Sequence, residues 1–438
     1  MNLRSLLERL TNEEDASIRV AINESSDPPV IRRSYSQIFY GKDLPPQPPV
    51  EVIKAGDLRD ADLFVAVDLV ISLTGASSPD EVKSGAESLL RELARKVRLR
   101  AEDSKKSNVA LALPERRHLE EVKGKWTKWV WKRTAYDGTP APDFNGWVRD
   151  LISLADAIRG EGVRVVFMAG ESGKVLEEMG YEVVSVSIEE TLPKLGYPRD
   201  PSVAWSEQPI LMNMALDIRG GEEEVARSFF QKNGLTPVFR PRWWRNGEIL
   251  VRAKAEGGNF ILVEGEGGKR ALFTGIGVRG SNVAAPKLLQ EFLISQGLNI
   301  EVYGVPLPGY IRDWRTGAVH LDVVMMHAGP VTFVSPGRMG FYSLVKYGES
   351  LEIVELGQVF RDLGITVDEI PAEGSEITMV NGLNLGNGKI VVDSFNRDAN
   401  RYLEREWGLD LIEVSIPQIE AGGGGARCAT REFYVSRE

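Results

Sequence analysis

Apolar residues in the second half of the chain come in short runs parted by polar joints, and one run in four has helical rather than strand spacing. Residues 203–205 and 210–214 read as strands, 222–232 as a helix and 236–239 as a strand. The same series recurs three times. Strands at 259–263 and 270–274 precede a helix near 284–295 and a strand at 299–302. Strands at 318–326 and 331–334 precede a helix around 356–362 and a strand at 366–370. Strands at 376–379 and 390–392 precede a helix over 397–407 and a strand at 410–414. Gly or Asn marks the joints, and the period is about 50 residues. Units that bury a face only against their neighbours imply an array or a closed ring rather than two unrelated domains.

The first 190 residues fit the series less well. Runs at 18–22, 63–71 and 163–168 have strand character, while 80–99 and 145–159 have helical periodicity. They predict a fifth unit split by a helical insertion. The chain then divides into 1–75, the first part of an α/β catalytic domain, 76–160, the helical insertion, and 161–438, the remainder of that domain. Proline-rich 44–49 reads as an extended connector. The opening Met1-Asn-Leu-Arg-Ser-Leu-Leu-Glu-Arg-Leu is a short amphipathic helix without the apolar core or small-residue cleavage site of a signal peptide. No run approaches the roughly 20 apolar residues of a membrane span. The expectation is a soluble, cytoplasmic protein.

Charge and cysteine usage narrow the chemistry. The chain carries 53 basic and 63 acidic residues, a net charge of −10, which argues against a general affinity for nucleic acid or an anionic membrane. One cysteine excludes a disulfide framework and a multi-cysteine metal cluster, and the three histidines, His118, His320 and His327, leave little for a His-rich metal site. No metal or cofactor is expected, and a homo-oligomer is compatible with the composition.

The single Cys428 follows four consecutive glycines, Gly422 to Gly425, and stands beside Arg427. Such a glycine run is costly in conformational entropy unless the backbone needs unusual angles or a close approach. A neighbouring cation would stabilise a thiolate, so Cys428 is the candidate nucleophile; a buried small hydrophobe is the other reading of a lone cysteine. His320 and Asp322, two apart on the expected strand, would share a face and set an acid–base group beside a carboxylate. A locally satisfied strand-end histidine is the alternative. His327 lies on the other face, and His118 sits in a charge-rich stretch that reads as surface. Glu256 stands on a glycine turn before an apolar strand, and Asp200 stands between prolines in a rigid segment. Either alone reads as turn chemistry or a cap. Together with Cys428 and His320 they suggest that each unit delivers one polar group to a common centre, suited to a substrate with several donor groups.

Three other signals compete. Gly275-Ile-Gly277-Val-Arg-Gly280 is a literal G-x-G-x-x-G between a strand and a helix, with Glu301 on the next strand, as in a dinucleotide fingerprint. The other units lack these glycines, however, and Glu301 is not at a strand's carboxyl end. The basic-aromatic run Lys123-Gly-Lys-Trp126-Thr-Lys-Trp129-Val-Trp131-Lys-Arg133 has the makings of a base-stacking or membrane-surface element, or of half-buried packing with snorkelling cations. Trp243 and Trp244, between Arg242 and Arg245, read as a similar loop anchor.

Over residues 197–438 the motifs resemble the guanidine-modifying (pentein) superfamily, and within it the arginine deiminases. Tyr197-Pro-Arg-Asp200 is similar to the family's F-T-R-D, Glu256-Gly-Gly-Asn259 to E-G-G-D, His320-Leu-Asp322 to H-L-D, and 422–430 to the terminal G-G-G-x-[HR]-C-x-T. Met214 to Glu222 is similar to M-x-x-x-x-R-x-x-E, and Gly275 to Ser281 to G-M-G-E-R-[TS]. The resemblance implies a pentein α/β propeller: five ββαβ units around a central active site, here with the inserted helical domain. It implies hydrolysis of free L-arginine to L-citrulline and ammonia without cofactor. Cys428 would be the nucleophile, His320 the acid–base group held by Glu256, and Asp200 and Asp322 the guanidinium clamp. Arg219 and Arg279 would hold the substrate carboxylate, with Asn259 and Arg427 also at the substrate. Asn259 departs from the family's acid, the proline after C-x-T is absent, and the N-terminal strand motif is not recognisable. An arginine dihydrolase giving ornithine, an amidinotransferase, and a non-catalytic ribosome-binding factor of the same superfamily are the alternatives. A nicotinamide oxidoreductase is a third class.

Overall fold

A computed structural model describes residues 3–12, 18–19, 52–54, 67, 70–71, 74–93, 99–119, 142–188, 192, 194–215, 219–237, 243–246, 249–277, 280–295, 298, 300–307, 318–335, 343–348, 351–370 and 379–435. Three of the expected units are plain in it. In the first, Phe260–Glu264 runs antiparallel to Arg270–Ile276, the helix Ala284–Ser295 crosses over, and Glu301–Pro306 returns parallel to Arg270–Ile276. In the second, Met325–Ala328 and Val331–Val334 are antiparallel, Leu356–Asp362 is the helix, and Thr366–Glu369 lies parallel to Val331–Val334. In the third, Leu383–Gly386 and Lys389–Asp393 are antiparallel, Arg397–Trp407 is the helix, and Asp410–Val414 lies parallel to Lys389–Asp393. Each helix stacks its apolar stripe on its own sheet, as parallel crossovers do.

A hairpin that the sequence reading did not anticipate, Ser343–Tyr347 and Leu351–Glu355, extends the first sheet beyond Glu301–Pro306. The unit expected over 203–239 is represented by the short pair Ser202–Val203 and Ile210–Leu211 and by the helix Glu222–Lys232. Trp243–Asn246 is a strand paired with Ile249–Arg252 rather than a loop anchor.

The remaining sheet draws on both ends of the chain. Asn108–Leu113 lies between Arg164–Ala169, to which it is parallel, and Thr430–Phe433, to which it is antiparallel, and Val183–Ser185 completes the row. The stretch 76–160, read as helical throughout, therefore contains a central strand. The helix Phe144–Gly160 within it is the crossover from Asn108–Leu113 to Arg164–Ala169. Its start is fixed by Asp143, whose carboxylate accepts the Gly146 amide at 2.7 Å. Trp147, Leu151, Leu154, Ala155 and Ile158, at the i, i+4, i+7, i+8 and i+11 spacing of one helix face, are buried in one core with Val109, Leu111, Val165 and Phe167. Each large member adds about 1.5–3 kcal/mol of apolar burial. The same core takes in Ala426, Cys428 and Ala429, so the cysteine loop is seated on this helix and sheet. The segments expected as strands at 18–22 and 63–71 are helical where described, at Ile18, Arg19, Val67, Val70 and Ile71. The helix Leu3–Asn12 is present as expected and packs on Pro79–Leu93. Among the described residues no helix is long and apolar enough to cross a membrane.

Candidate active site

Loops leading into a strand of five of the six sheets carry polar groups to a shared centre. Asp200 precedes Ser202–Val203, Glu256 precedes Phe260–Glu264, His320 and Asp322 precede Met325–Ala328, Asn381 precedes Leu383–Gly386, and Cys428 precedes Thr430–Phe433. Gly258 lies in their midst. A Cβ there would stand 2.8 Å from Asp200 Oδ1, 3.0 Å from His320 Nδ1 and 3.1 Å from Asp322 Oδ2, so a side chain would occupy the space these groups surround.

His320 is wedged between carboxylates. Its Nε2 is 2.5 Å from Glu256 Oε2 and its Nδ1 is 3.5 Å from Asp200 Oδ1. Burial opposes charge on the ring, but Asp200 and Glu256 outweigh it and raise its pKa, which favours the imidazolium. Glu256 in turn accepts the Ala215 amide at 3.2 Å. Burial resists ionisation of Asp200 too, yet His320 and Arg219 hold its carboxyl down to about 2.

His320-Leu-Asp322 is not the strand the alternation predicted. His320 is extended, at φ −121° and ψ 146°, and Leu321–Val323 is a 3₁₀ turn. The cause is Asn259, whose Oδ1 accepts the Leu321 amide at 3.1 Å and draws it away from any ladder. Asn259 is fully buried beneath this turn and supports it. The apparent dinucleotide fingerprint is explained by the same residue. A Cβ on Gly275 would stand 2.1 Å from Asn259 Oδ1, and one on Gly280 (φ +90°) 2.6 Å from Asn259 Nδ2. Glu301 pairs with Lys346 at 2.5 Å and with Tyr303.

Cys428 is buried, and its Sγ lies 3.6 Å from Asp322 Oδ2. Burial, with Asp322 and Asp200 adding to it, pushes the thiol well above its ordinary range. The expectation that Arg427 activates the thiol is therefore corrected: its guanidinium turns to Glu102 and Asp322. Nor is Arg219 open to a substrate carboxylate. It gives Nη1 to Asp200 at 2.6 Å and its other edge to Glu222 at 2.6–3.1 Å. Burial and the neighbouring Asp200 and Glu256 raise Glu222 to about 7 despite this partner. Arg279 and the run 123–133 lie outside the described residues.

Several residues here went unread in the sequence. Asn381 Oδ1 accepts the amides of Gly425 (3.1 Å) and Cys428 (3.0 Å), while its Nδ2 donates to the Asp322 carbonyl at 2.9 Å. It holds the cysteine loop against the Asp322 turn, and aligning the repeats would have found it as the third unit's contribution. Arg199, fully buried, donates to the Arg427 carbonyl at 3.0 Å and pairs with Glu432 at 2.6 Å. His118, read as surface, is buried and accepts the Leu192 amide. His327 is also buried and faces Thr332. Ligand atoms of Asp200, Glu256 and His320 come within 4.8 Å of one another. Both ring nitrogens already face carboxylates, so a cation there would have to displace a proton that both acids stabilise.

No family model matches the chain. It is similar to the uncharacterised protein YkgA of Bacillus subtilis, 24% identical over 257 residues that cover 59% of this chain and 76% of that protein. It is similar to the arginine deiminase of Streptococcus gordonii, 25% identical over 265 residues, 55% of this chain and 61% of the enzyme. The arginine deiminase of Latilactobacillus sakei is 23% identical over 319 residues, 66% and 74% of the two chains. The chain thus spans about three fifths of the Streptococcus enzyme's length. Among solved structures, a DDAH from Pseudomonas aeruginosa complexed with citrulline covers 75% of this chain and 100% of its own, at 16% identity and a TM-score of 0.48. An amidinotransferase from Microseira wollei covers 78% and 97%, at 17% identity and a TM-score of 0.48. The resemblance to arginine deiminase carried by the ordered motifs is matched by similarity along more than half of the chain.

Proposed function

We propose that the protein hydrolyses the guanidino group of free L-arginine to L-citrulline and ammonia, through a covalent amidino adduct on Cys428 and on a pentein fold. The observation that carries this reading is the convergence of two carboxylates, an imidazolium and a thiol around Gly258. A guanidinium offers a planar array of N–H donors that two facing carboxylates match. The outer oxygen of Asp322, Oδ1, is buried and has no partner among the described residues, as a clamp awaiting a donor would.

The raised thiol pKa fits a site charged by its substrate. A guanidinium between Asp200 and Asp322 offsets the two charges that hold the proton on sulfur, so that proton passes to solvent and the thiolate forms beside the carbon it attacks. The S–C bond forms and the C–N bond breaks. His320, kept protonated by Asp200 and Glu256, gives the proton that lets ammonia leave. The neutral ring then takes a proton from water as its oxygen attacks the amidino carbon, and the C–S bond breaks to release citrulline. With Arg219 engaged by Asp200 and Glu222, recognition of the α-carboxylate falls to Arg279.

The test is incubation of the purified protein with L-arginine or agmatine, measuring citrulline, ornithine and ammonia together. One citrulline per ammonia, lost in Cys428→Ala, is the expected result. Ornithine with two ammonia would make the enzyme a dihydrolase, and turnover of agmatine in preference to arginine would remove the carboxylate from recognition. Unchanged turnover in Cys428→Ala would end the proposal.

A further inference from the structure

Beneath Asp322 lies a buried ion pair that the chemistry above does not use. Arg427 gives Nε to Glu102 Oε1 at 2.8 Å and Nη2 to Glu102 Oε2 at 3.1 Å, a two-pronged contact that fixes the plane of the guanidinium. The same Nη2 reaches the Phe260 carbonyl at 3.2 Å, and Nη1 reaches Asp322 Oδ2 at 2.9 Å. That oxygen is also the one 3.6 Å from the thiol. Glu102 and Arg427 are both buried, so neither contact is loosened by solvent. We propose that Glu102 and Arg427 are positioning residues, which hold the Asp322 carboxylate in register beside Cys428 without touching substrate themselves. This rests on the reading of the Cys428 site as a guanidine pocket.

None of these groups would hold its place alone. Asp322 is fully buried, so its charge needs a cation close by. Arg427 is its ionic partner at 2.9 Å, and a lone arginine on a flexible stem would not hold one orientation there. Glu102 supplies the second anchor. Lys106 stiffens that anchor, since its ammonium donates to the Glu102 carbonyl at 2.5 Å and to the Ser104 carbonyl at 3.0 Å. The segment leading into Asn108–Leu113 is thereby tied to the nucleophile loop and to the Asp322 turn at once.

Two roles for Arg427 part on one variant. Asp200, Asp322 and Tyr197 are the charged or titratable groups that act on Cys428, and Arg427 reaches it through Asp322. If Arg427 activated the thiol directly, replacing Glu102 by Gln would leave its cation less neutralised and lower the pH midpoint of alkylation. If it serves Asp322 by position, the same change frees its guanidinium, slows the reaction with substrate and leaves the midpoint in place.

The experiment measures kcat/KM for L-arginine and, without substrate, iodoacetamide alkylation of Cys428 against pH, in full-length wild type and Glu102→Gln. A kcat/KM lower by about tenfold to a hundredfold with the alkylation midpoint within half a unit of wild type is expected, because orientation is lost and the charges beside the sulfur are kept. Unchanged kcat/KM, or a midpoint lower by one unit or more, overturns the proposal. A wild type inactive on arginine ends the functional reading instead, and the alkylation midpoints still decide whether Arg427 acts on the thiol directly.

Discussion

Asp200 and Asp322 face one thiol pocket, but the arms that hold them are built at different scales. Asp200 is gripped by Arg219, 19 residues along the chain, which is itself gripped by Glu222 three residues later. Asp322 is gripped by Arg427, 105 residues away, which is gripped by Glu102, 325 residues away. The short arm has two cations on its carboxylate, Arg219 and His320, and a glutamate raised to about 7 by burial. The long arm has one cation on its carboxylate, and the glutamate behind it is held far below its usual range, since Arg427 outweighs burial. The first arm is therefore a local device with a titrating back end. The second is a permanent buried ion pair that exists only when distant segments have met.

The comparison breaks most plainly at the carboxylates. Asp200→Asn and Asp322→Asn should each lower kcat/KM by about a thousandfold or more, and the double variant should lose little beyond either single one, because the clamp works as a unit. Additive losses in steady-state assays would show two independent contacts instead. The next effect lies behind the arginines. Glu222→Gln should change kcat/KM only a fewfold at pH 6, where Glu222 is already largely protonated, and more at pH 8. The long arm's Glu102→Gln should cost its tenfold or more at both pH values. Equal pH dependence of the two variants would erase the distinction.

Smaller effects concern stability. Asp200, depressed to about 2 from an ordinary 3.8, lends stability that is full above the ordinary value and disappears as pH falls from about 4 through 2. His320 is raised, so its contribution is full below 6.5 and fades as pH rises through its higher folded value. His320→Gln should flatten the alkaline side of a urea-midpoint-versus-pH curve and leave the acid side to Asp200. The least effect is expected away from both arms. Asp150, raised to about 6 by burial, accepts the amides of Gln418 (2.6 Å) and Ile419 (3.1 Å) just ahead of the cysteine loop. Its raised value makes the ionised form a cost above pH 6. Asp150→Asn, which keeps an accepting oxygen, should leave thermal stability at pH 8 unchanged or higher by up to about 1 kcal/mol.

The members of the short arm, Asp200, Arg219 and Glu222, each fall within a motif legible in the sequence, but their mutual pairing was not read. The helices Ala284–Ser295, Leu356–Asp362 and Arg397–Trp407 were legible because their apolar spacing is local. The long arm was not. Nothing near Glu102 announces Arg427, and the strand Asn108–Leu113 is fully buried and so lacks the alternation that marks a half-buried strand. The His320–Asp322 turn was misread as strand because a side chain, Asn259, took the backbone donor that a ladder would have used. Arg219 was assigned to a substrate carboxylate by resemblance, and only packing placed it on Asp200 and Glu222.

The seat of Thr430–Phe433 against Asn108–Leu113 bears on how the molecule comes to be made. As the chain emerges from a ribosome, residues 108–113 appear more than 300 residues before the strand that will cover their edge. Until then that edge has open amides and carbonyls, able to pair with any strand nearby. Pairing of such long range is slow, so a half-made or stalled chain is the species most exposed to aggregation. The delay has a useful side as well. Cys428 and Arg427 are made more than 300 residues after Glu102, and a chain that has not yet brought them together cannot react.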